Sequence, residues 1–166
     1  MKRIQRHNAL IGFGANLGNI KQTFDFVCEE LQNFATSPIE LSSIYESAPH
    51  GLSNQPDYVN AVILLQTSAN PTELLRFLLL LEQQRGRRRV SHSLNLPRPL
   101  DLDLLLYDDL VMRSQDLVIP HPRMHMRNFV LLPAREVAPG WIHPILQISI
   151  DALCTHCDDP LPIRKL

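Results

Sequence analysis

Apolar and polar residues alternate along this 166-residue chain with two periods, near 3.6 and near 2, and their succession predicts its elements. Residues 8–13 form a short apolar run ending in Gly12 and Gly14, which reads as a buried strand leading into a tight turn. Ile20, Phe24, Val27, Leu31 and Phe34 then recur at helical spacing behind Asn19, an N-cap residue with Gln22 three positions on. Residues 39–47 alternate as a strand, and Ala48 to Asp57 reads as a loop. Tyr58 to Thr67 predicts a second long strand, with Val59, Ala61, Ile63 and Leu65 on one face and Tyr58, Asn60, Val62 and Leu64 on the other. Asn70, Pro71 and Glu73 mark the start of a second helix, as N-cap, first helical residue and capping-box partner. Its stripe of Leu74, Phe77, Leu78 and Leu81 runs out near Arg85-Gly86.

A loop leads on to Pro97, and Pro99 to Tyr107 is the next strand. The order β-α-β-β-α-β predicts an α+β, ferredoxin-like sandwich with helices on one face of a mostly antiparallel sheet. A C-terminal extension follows. In it Val118-Ile119 reads as a short strand, Arg123 to Glu136 as partly helical despite Pro133, and Ile148 to Cys154 as a short helix. One domain over residues 1–166 fits the length.

Composition narrows the possibilities further. Hydrophobic residues are 45% and charged residues 20%, enough apolar surface to fold as a globule without disulfide or structural metal. The net charge of -1 argues against a nucleic-acid binder, which would be strongly basic. The densest apolar run, Phe77 to Leu81, falls far short of the roughly 18 residues of a membrane span. The basic amino terminus resembles a signal n-region, but Ala9 to Phe13 is too short an apolar stretch to complete one. Three cysteines make no disulfide framework, and Cys154 and Cys157 lack the second ligand cluster of a zinc site. These features predict a soluble, cytoplasmic, single-domain protein with no membrane or nucleic-acid partner; its expected state, a monomer, does not follow from them.

The candidate chemistry centres on Leu100-Asp101-Leu102-Asp103-Leu104-Leu105-Leu106. Strand alternation sends Leu100, Leu102, Leu104 and Leu106 into the core and sets Asp101 and Asp103 on the opposite face, roughly 7 Å apart. Two carboxylates so close repel unless a cation lies between them, and hard oxygen ligands suit Mg²⁺ with substrate phosphates. Just upstream, Arg85, Arg87, Arg88, Arg89 and Arg98 are interrupted by no acidic residue, in a stretch with the length of a mobile lid. Arginine forks bind pairs of phosphate oxygens, so a basic loop beside a metal site points to nucleotide-dependent phosphoryl transfer. No P-loop motif is present, and Gly12, Gly14 and Gly18 have one residue too many for the Rossmann spacing. Tyr58 and Asn60 on one strand face suit a planar heterocycle with donors and acceptors on its edge. His121 fits a phosphate contact or a loop hydrogen bond, because Pro122 interrupts any regular helix joining it to His125.

Four blocks in order carry a resemblance: Gly12-Phe13-Gly14-Ala15-Asn16-Leu17-Gly18, Gln55-Pro56-Asp57-Tyr58-Val59-Asn60, Pro97-Arg98-Pro99-Leu100-Asp101-Leu102-Asp103, and Pro120-His121-Pro122-Arg123-Met124 with Arg127-Asn128-Phe129-Val130-Leu131. From about residue 9 to Pro144 the chain resembles the 6-hydroxymethyl-7,8-dihydropterin pyrophosphokinases of folate biosynthesis. The resemblance implies transfer of the pyrophosphoryl group of ATP, as a unit, to the hydroxymethyl oxygen of the pterin, with release of AMP. It implies two Mg²⁺ ions held by Asp101 and Asp103. It gives Arg87 and Arg89 the role of loop arginines closing over the nucleotide, and Arg98 that of a phosphate-side contact. Glu82, His121 and Arg127 fall at ATP-side positions. Ser47, Pro49 and Gly51 fall in the loop that holds the pterin, with Tyr58, Asn60 and Phe129 around its ring. Leu96 replaces a small residue usual in the family, Pro122 an aromatic and Asn128 a glycine, and the loop from Gly86 to Arg98 is one residue longer. A nucleotidyltransferase using the same aspartates, releasing pyrophosphate, is the competing enzyme. A ferredoxin-like RNA-binding module would need stacking aromatics, for which Tyr58 and Tyr107 are the candidates.

Overall fold

The structure, a computed structural model, describes residues 5–49, 54–87 and 96–166. Strand β1 (His7–Ala15) lies between β5 and β4 in a sheet ordered β5-β1-β4-β3-β8, with β2 also paired to β4. The other members are β2 (Glu40–Leu41), β3 (Tyr45–Ser47), β4 (Tyr58–Thr67), β5 (Asp101–Tyr107) and β8 (Ile163–Lys165), and every pairing is antiparallel. A separate small ribbon joins β6 (Met112–Arg113) to β7 (Val118–Ile119). Helices α1 (Ile20–Phe34) and α2 (Pro71–Gln84) complete the expected β-α-β-β-α-β frame.

The local signals act as expected. The Asn19 side chain accepts from the Gln22 N–H at 3.0 Å. Asn70 and Glu73 close a reciprocal capping box, at 3.0 and 2.8 Å. α1 and α2 bury Val27, Leu31, Leu74, Leu78 and Leu81 against Ile11, Phe13, Ala61, Ile63, Leu65, Leu102 and Leu104 of the sheet.

Three expectations are corrected. First, the helices are not confined to one face. Leu10, Val62, Leu105 and Leu106 form a second core with Met124, Val130, Ala134 and Ile150, brought by α3 (Asn128–Val137), α4 (Ile150–His156) and the 3₁₀ turn Met124–Met126. With both faces covered and Tyr107 buried, no open stacking platform for RNA remains among the described residues. Second, the alternation of β5 breaks. Ile11 faces Leu104 while Leu10 faces Leu106, so Leu105 is a bulge and Leu106 turns to the second core instead of sharing the face of Leu104. Third, residues 39–47 form two strands, because five residues from Leu41 to Tyr45 lie opposite four from Ile63 to Asn60.

Candidate active site

Gly12 and Gly14 lie inside β1, not in a turn; the left-handed turn glycine is Gly18, at φ 75°. Their register builds the site. Gly14 lies between Asn60 of β4 and Asp101 of β5, and Gly12 between Val62 and Asp103. Side chains on this sheet face therefore rise from the two outer strands and are missing from the middle one. A Cβ added at Gly14 would lie 3.7 Å from Asn60 Oδ1 and 3.9 Å from Asp101 Cβ, in the space between them. Glycine in a strand interior often marks such a close approach. The result is a cavity of about 250 Å³ floored by the glycines and Leu105, with Ser47, Tyr58 and Asn60 on one side and Asp101 and Asp103 on the other.

The amide side is held by the sheet edge. Asn60 Nδ2 donates to Ser47 Oγ at 2.8 Å, and both residues are buried. Phe129, at the start of α3, also lines the cavity. The Tyr58 hydroxyl donates to the Leu96 carbonyl at 2.9 Å, and the Arg98 guanidinium lies 6.0 Å from the Tyr58 ring centre.

The carboxylate side is ringed by cations. Arg98 donates to Asp101 Oδ2 at 2.7 Å, and Arg87 bridges Asp101 to Glu82. Arg123 and Arg127 also line the cavity. Asp103, in the recess beside Asp101, has its carboxyl pushed up to about 7, first by desolvation and then by the negative charges of Asp101 and Glu82. His121 Nε2 lies 3.9 Å from Asp103 Oδ2, and its imidazole is pushed down to about 4 by burial and by Arg127 and Arg123. A neutral His121 is the form present at neutral pH.

Ser47, Tyr58, Asn60, Arg87, Arg98, Asp101, Asp103, His121, Arg127 and Phe129 are thus brought to one cavity. Glu82 is not on its surface: it is 2% exposed and accepts the Leu102 N–H at 2.8 Å, anchoring the start of β5. Pro49 is half-buried in the loop after β3 and is not part of the lining. Gly51 and Arg89, like Arg88 and most of the expected lid, lie outside the described residues. Arg85 turns away, donating to Thr23 Oγ1 at 2.9 Å and lying over Phe26.

Besides the glycine floor, Arg123 and Asn16 had no role from sequence. Asn16, 3% exposed, donates to the Gln55 side chain and the Pro56 carbonyl and accepts the Arg98 N–H at 2.8 Å. It ties the loop before Tyr58 to the arginine before Asp101. An Asn at the end of an apolar strand was the available signal.

Among the described residues no group of three His, Cys, Asp or Glu side chains is placed to hold a metal. Asp101 and Asp103 offer only a pair of carboxylates, the set Mg²⁺ takes when phosphates complete its shell. No helix among the described residues is long and apolar enough to cross a membrane.

Comparison with known proteins gives the family. A family profile described as 7,8-dihydro-6-hydroxymethylpterin-pyrophosphokinase (HPPK) matches residues 10–139. The 2-amino-4-hydroxy-6-hydroxymethyldihydropteridine pyrophosphokinase of Synechocystis sp. is 40% identical over 157 residues, 91% of this chain and 79% of that protein. The Haemophilus influenzae protein of the same name is 37% identical over 151 residues, 90% and 93% of the two chains. The folic acid synthesis protein fol1 of Pneumocystis carinii is 37% identical over 148 residues, and there this chain spans 20% of the longer protein. In fold the chain resembles the Plasmodium falciparum HPPK-DHPS crystallised with pteroate, with a TM-score of 0.74 at 12% identity over 91% of this chain and 44% of that one. The chain belongs to the 7,8-dihydro-6-hydroxymethylpterin-pyrophosphokinase family.

Proposed function

We propose that ATP and the hydroxymethyl pterin meet over Gly12 and Gly14, the pterin on the β4 side and the triphosphate on the β5 side. The chain is an ATP-dependent pyrophosphokinase of folate biosynthesis. It moves the pyrophosphoryl group of ATP to the 6-hydroxymethyl oxygen of 7,8-dihydropterin and leaves AMP. The observation that carries the site reading is the row Asn60–Gly14–Asp101: an amide and a carboxylate facing each other across a strand without side chains.

On the β4 side, Asn60 is oriented by Ser47 and presents its carbonyl oxygen to a ring edge bearing N–H donors. Tyr58 and Phe129 supply flat apolar surface, with Pro49 and Gly51 in the adjoining loop. On the β5 side, Arg98, Arg123 and Arg127 are placed for phosphate oxygens, with His121 as a neutral donor between them and Asp103. Arg87 bridges and neutralises Asp101 and Glu82, and Arg89, outside the described residues, keeps the nucleotide-side role that the family resemblance implies. Asp101 and Asp103 would hold Mg²⁺, two ions in this reading, which supplies charge neutralisation on the transferring group. The oxygen of the hydroxymethyl group attacks the β-phosphorus as the bond from that phosphorus to the α,β-bridging oxygen breaks. The protein contributes alignment, opposing charge and exclusion of water. The reaction is that of one folded chain on two small molecules.

Gly14→Val tests where the pterin lies. The extended backbone accepts valine, and its side chain would fill the space between Asn60 and Asp101. The expected result is a Tm close to wild type with pterin affinity reduced by more than about tenfold. Unchanged pterin affinity would place the ring elsewhere.

A further inference from the structure

Helix α3 carries Phe129 into the cavity, yet it has no cap of its own: Arg127, at its N-cap position, makes no side-chain capping bond. The cap comes from 31 residues downstream. Asp159 Oδ2 accepts the Asn128 N–H at 2.9 Å, and the Asp159 carbonyl accepts Asn128 Nδ2 at 3.2 Å. Asp159 Oδ1 also accepts the Leu161 N–H at 3.1 Å, turning the tail toward the sheet. From there the chain reaches the opposite wall. The Pro162 carbonyl accepts the Ala48 N–H at 3.2 Å, and β8 pairs with β3 so that Ile163 lies opposite Ser47, the residue that orients Asn60. Arg164 to Glu46 and Lys165 to Glu136, each at 2.8 Å, fasten the far end to β3 and to α3.

The geometry points to Asp159–Lys165 as a clamp that sets the gap between the Phe129 wall and the Ser47–Asn60 wall, with Asp159 as the positioning residue. This rests on the reading that the cavity takes the pterin. A flat ring stacked on Phe129 while Asn60 holds its edge depends on how the two walls are set, because a gap of 0.5–1 Å already forfeits about a quarter to a half of a dispersion contact. A triphosphate held by arginine charges tolerates such a shift far better. Asp159 also offsets the positive charge of Arg127, so its removal leaves the nucleotide side more positive.

Asp159→Ala, Asp159→Asn and Asn128→Ala are compared with wild type by titration with hydroxymethyl pterin and, separately, with a non-hydrolysable ATP analogue, alongside KM and kcat. Asp159→Ala should weaken pterin binding by about tenfold, while affinity for the analogue stays within about twofold or rises. Asp159→Asn, which keeps an acceptor for the Asn128 N–H, should recover most of the loss. Asn128→Ala, which removes one of the two Asn128 bonds and keeps the cap, should shift pterin affinity by about threefold and decides the matter if Asp159→Ala does not fold. An unchanged pterin affinity in the folded variants, or an equal loss for both ligands, would overturn the clamp. A wild-type protein that binds the analogue but no pterin would instead overturn the reading of the cavity.

Discussion

Asp103→Asn should abolish turnover, by about 10²-fold or more, while the chain remains folded; losses of this size follow removal of one preplaced electrostatic group from an active site. Asp103 rises beside the Gly12 floor, its side chain 44% exposed into the recess and its carboxyl pushed up to about 7. The sign of the stability effect follows. The folded chain gives up this proton less readily than the unfolded chain, whose carboxyl titrates near 3.8, so Asp103 costs stability as pH rises from about 4 to about 7. Asparagine removes that cost. In metal-free buffer the Tm of wild type should therefore fall relative to Asp103→Asn over this window, and the two should converge near pH 4. Mg²⁺ should raise the Tm of wild type and not of the variant. Near-normal turnover in Asp103→Asn would refute the assignment.

The largest loss of stability is expected at Glu82. Its carboxylate, 2% exposed, holds the Leu102 N–H and the Arg87 guanidinium together beneath the first residues of β5. Leucine of similar volume leaves a buried donor and a partly buried cation without that partner, at a cost of about 3–5 kcal/mol. Glutamine keeps an acceptor for Leu102 and loses only the ion pair, about 1–3 kcal/mol. Urea midpoints at pH 7 separate these outcomes; a Glu82→Leu protein within about 1 kcal/mol of wild type would contradict this role. The activity lost with either variant should track the displacement of Arg87 and of the start of β5, since Glu82 does not line the cavity.

Elements whose signals are local were legible in the sequence nearly to the residue: α2 with its capping box, and β4 with its alternation. Elements set by pairing were not. The bulge at Leu105 depends on what β1 places opposite it, and β8 is three residues whose only reason to be a strand is the β3 edge. Gly12 and Gly14 looked like a turn because glycine in a strand has no local mark; their meaning lies in the register with Asn60 and Asp101. The second layer of helices could have been read from β4, where Val62 and Leu64 are apolar on the face opposite Ala61 and Ile63, as in a strand buried on both sides. The carboxylates and the aromatic–amide pair were legible as chemistry. The arginine cluster was legible only as charge: sequence proximity could not tell that Arg85 packs on α1 while Arg87 and Arg98 turn to Asp101.

The reaction is tested most directly by identifying the products after incubation of the purified chain with ATP, Mg²⁺ and 6-hydroxymethyl-7,8-dihydropterin. Phosphorus NMR should show AMP and a pterin diphosphate ester appearing in equal amounts, with neither formed by Asp103→Asn. ADP, or free pyrophosphate with an adenylylated pterin, would contradict transfer of the pyrophosphoryl group as a unit.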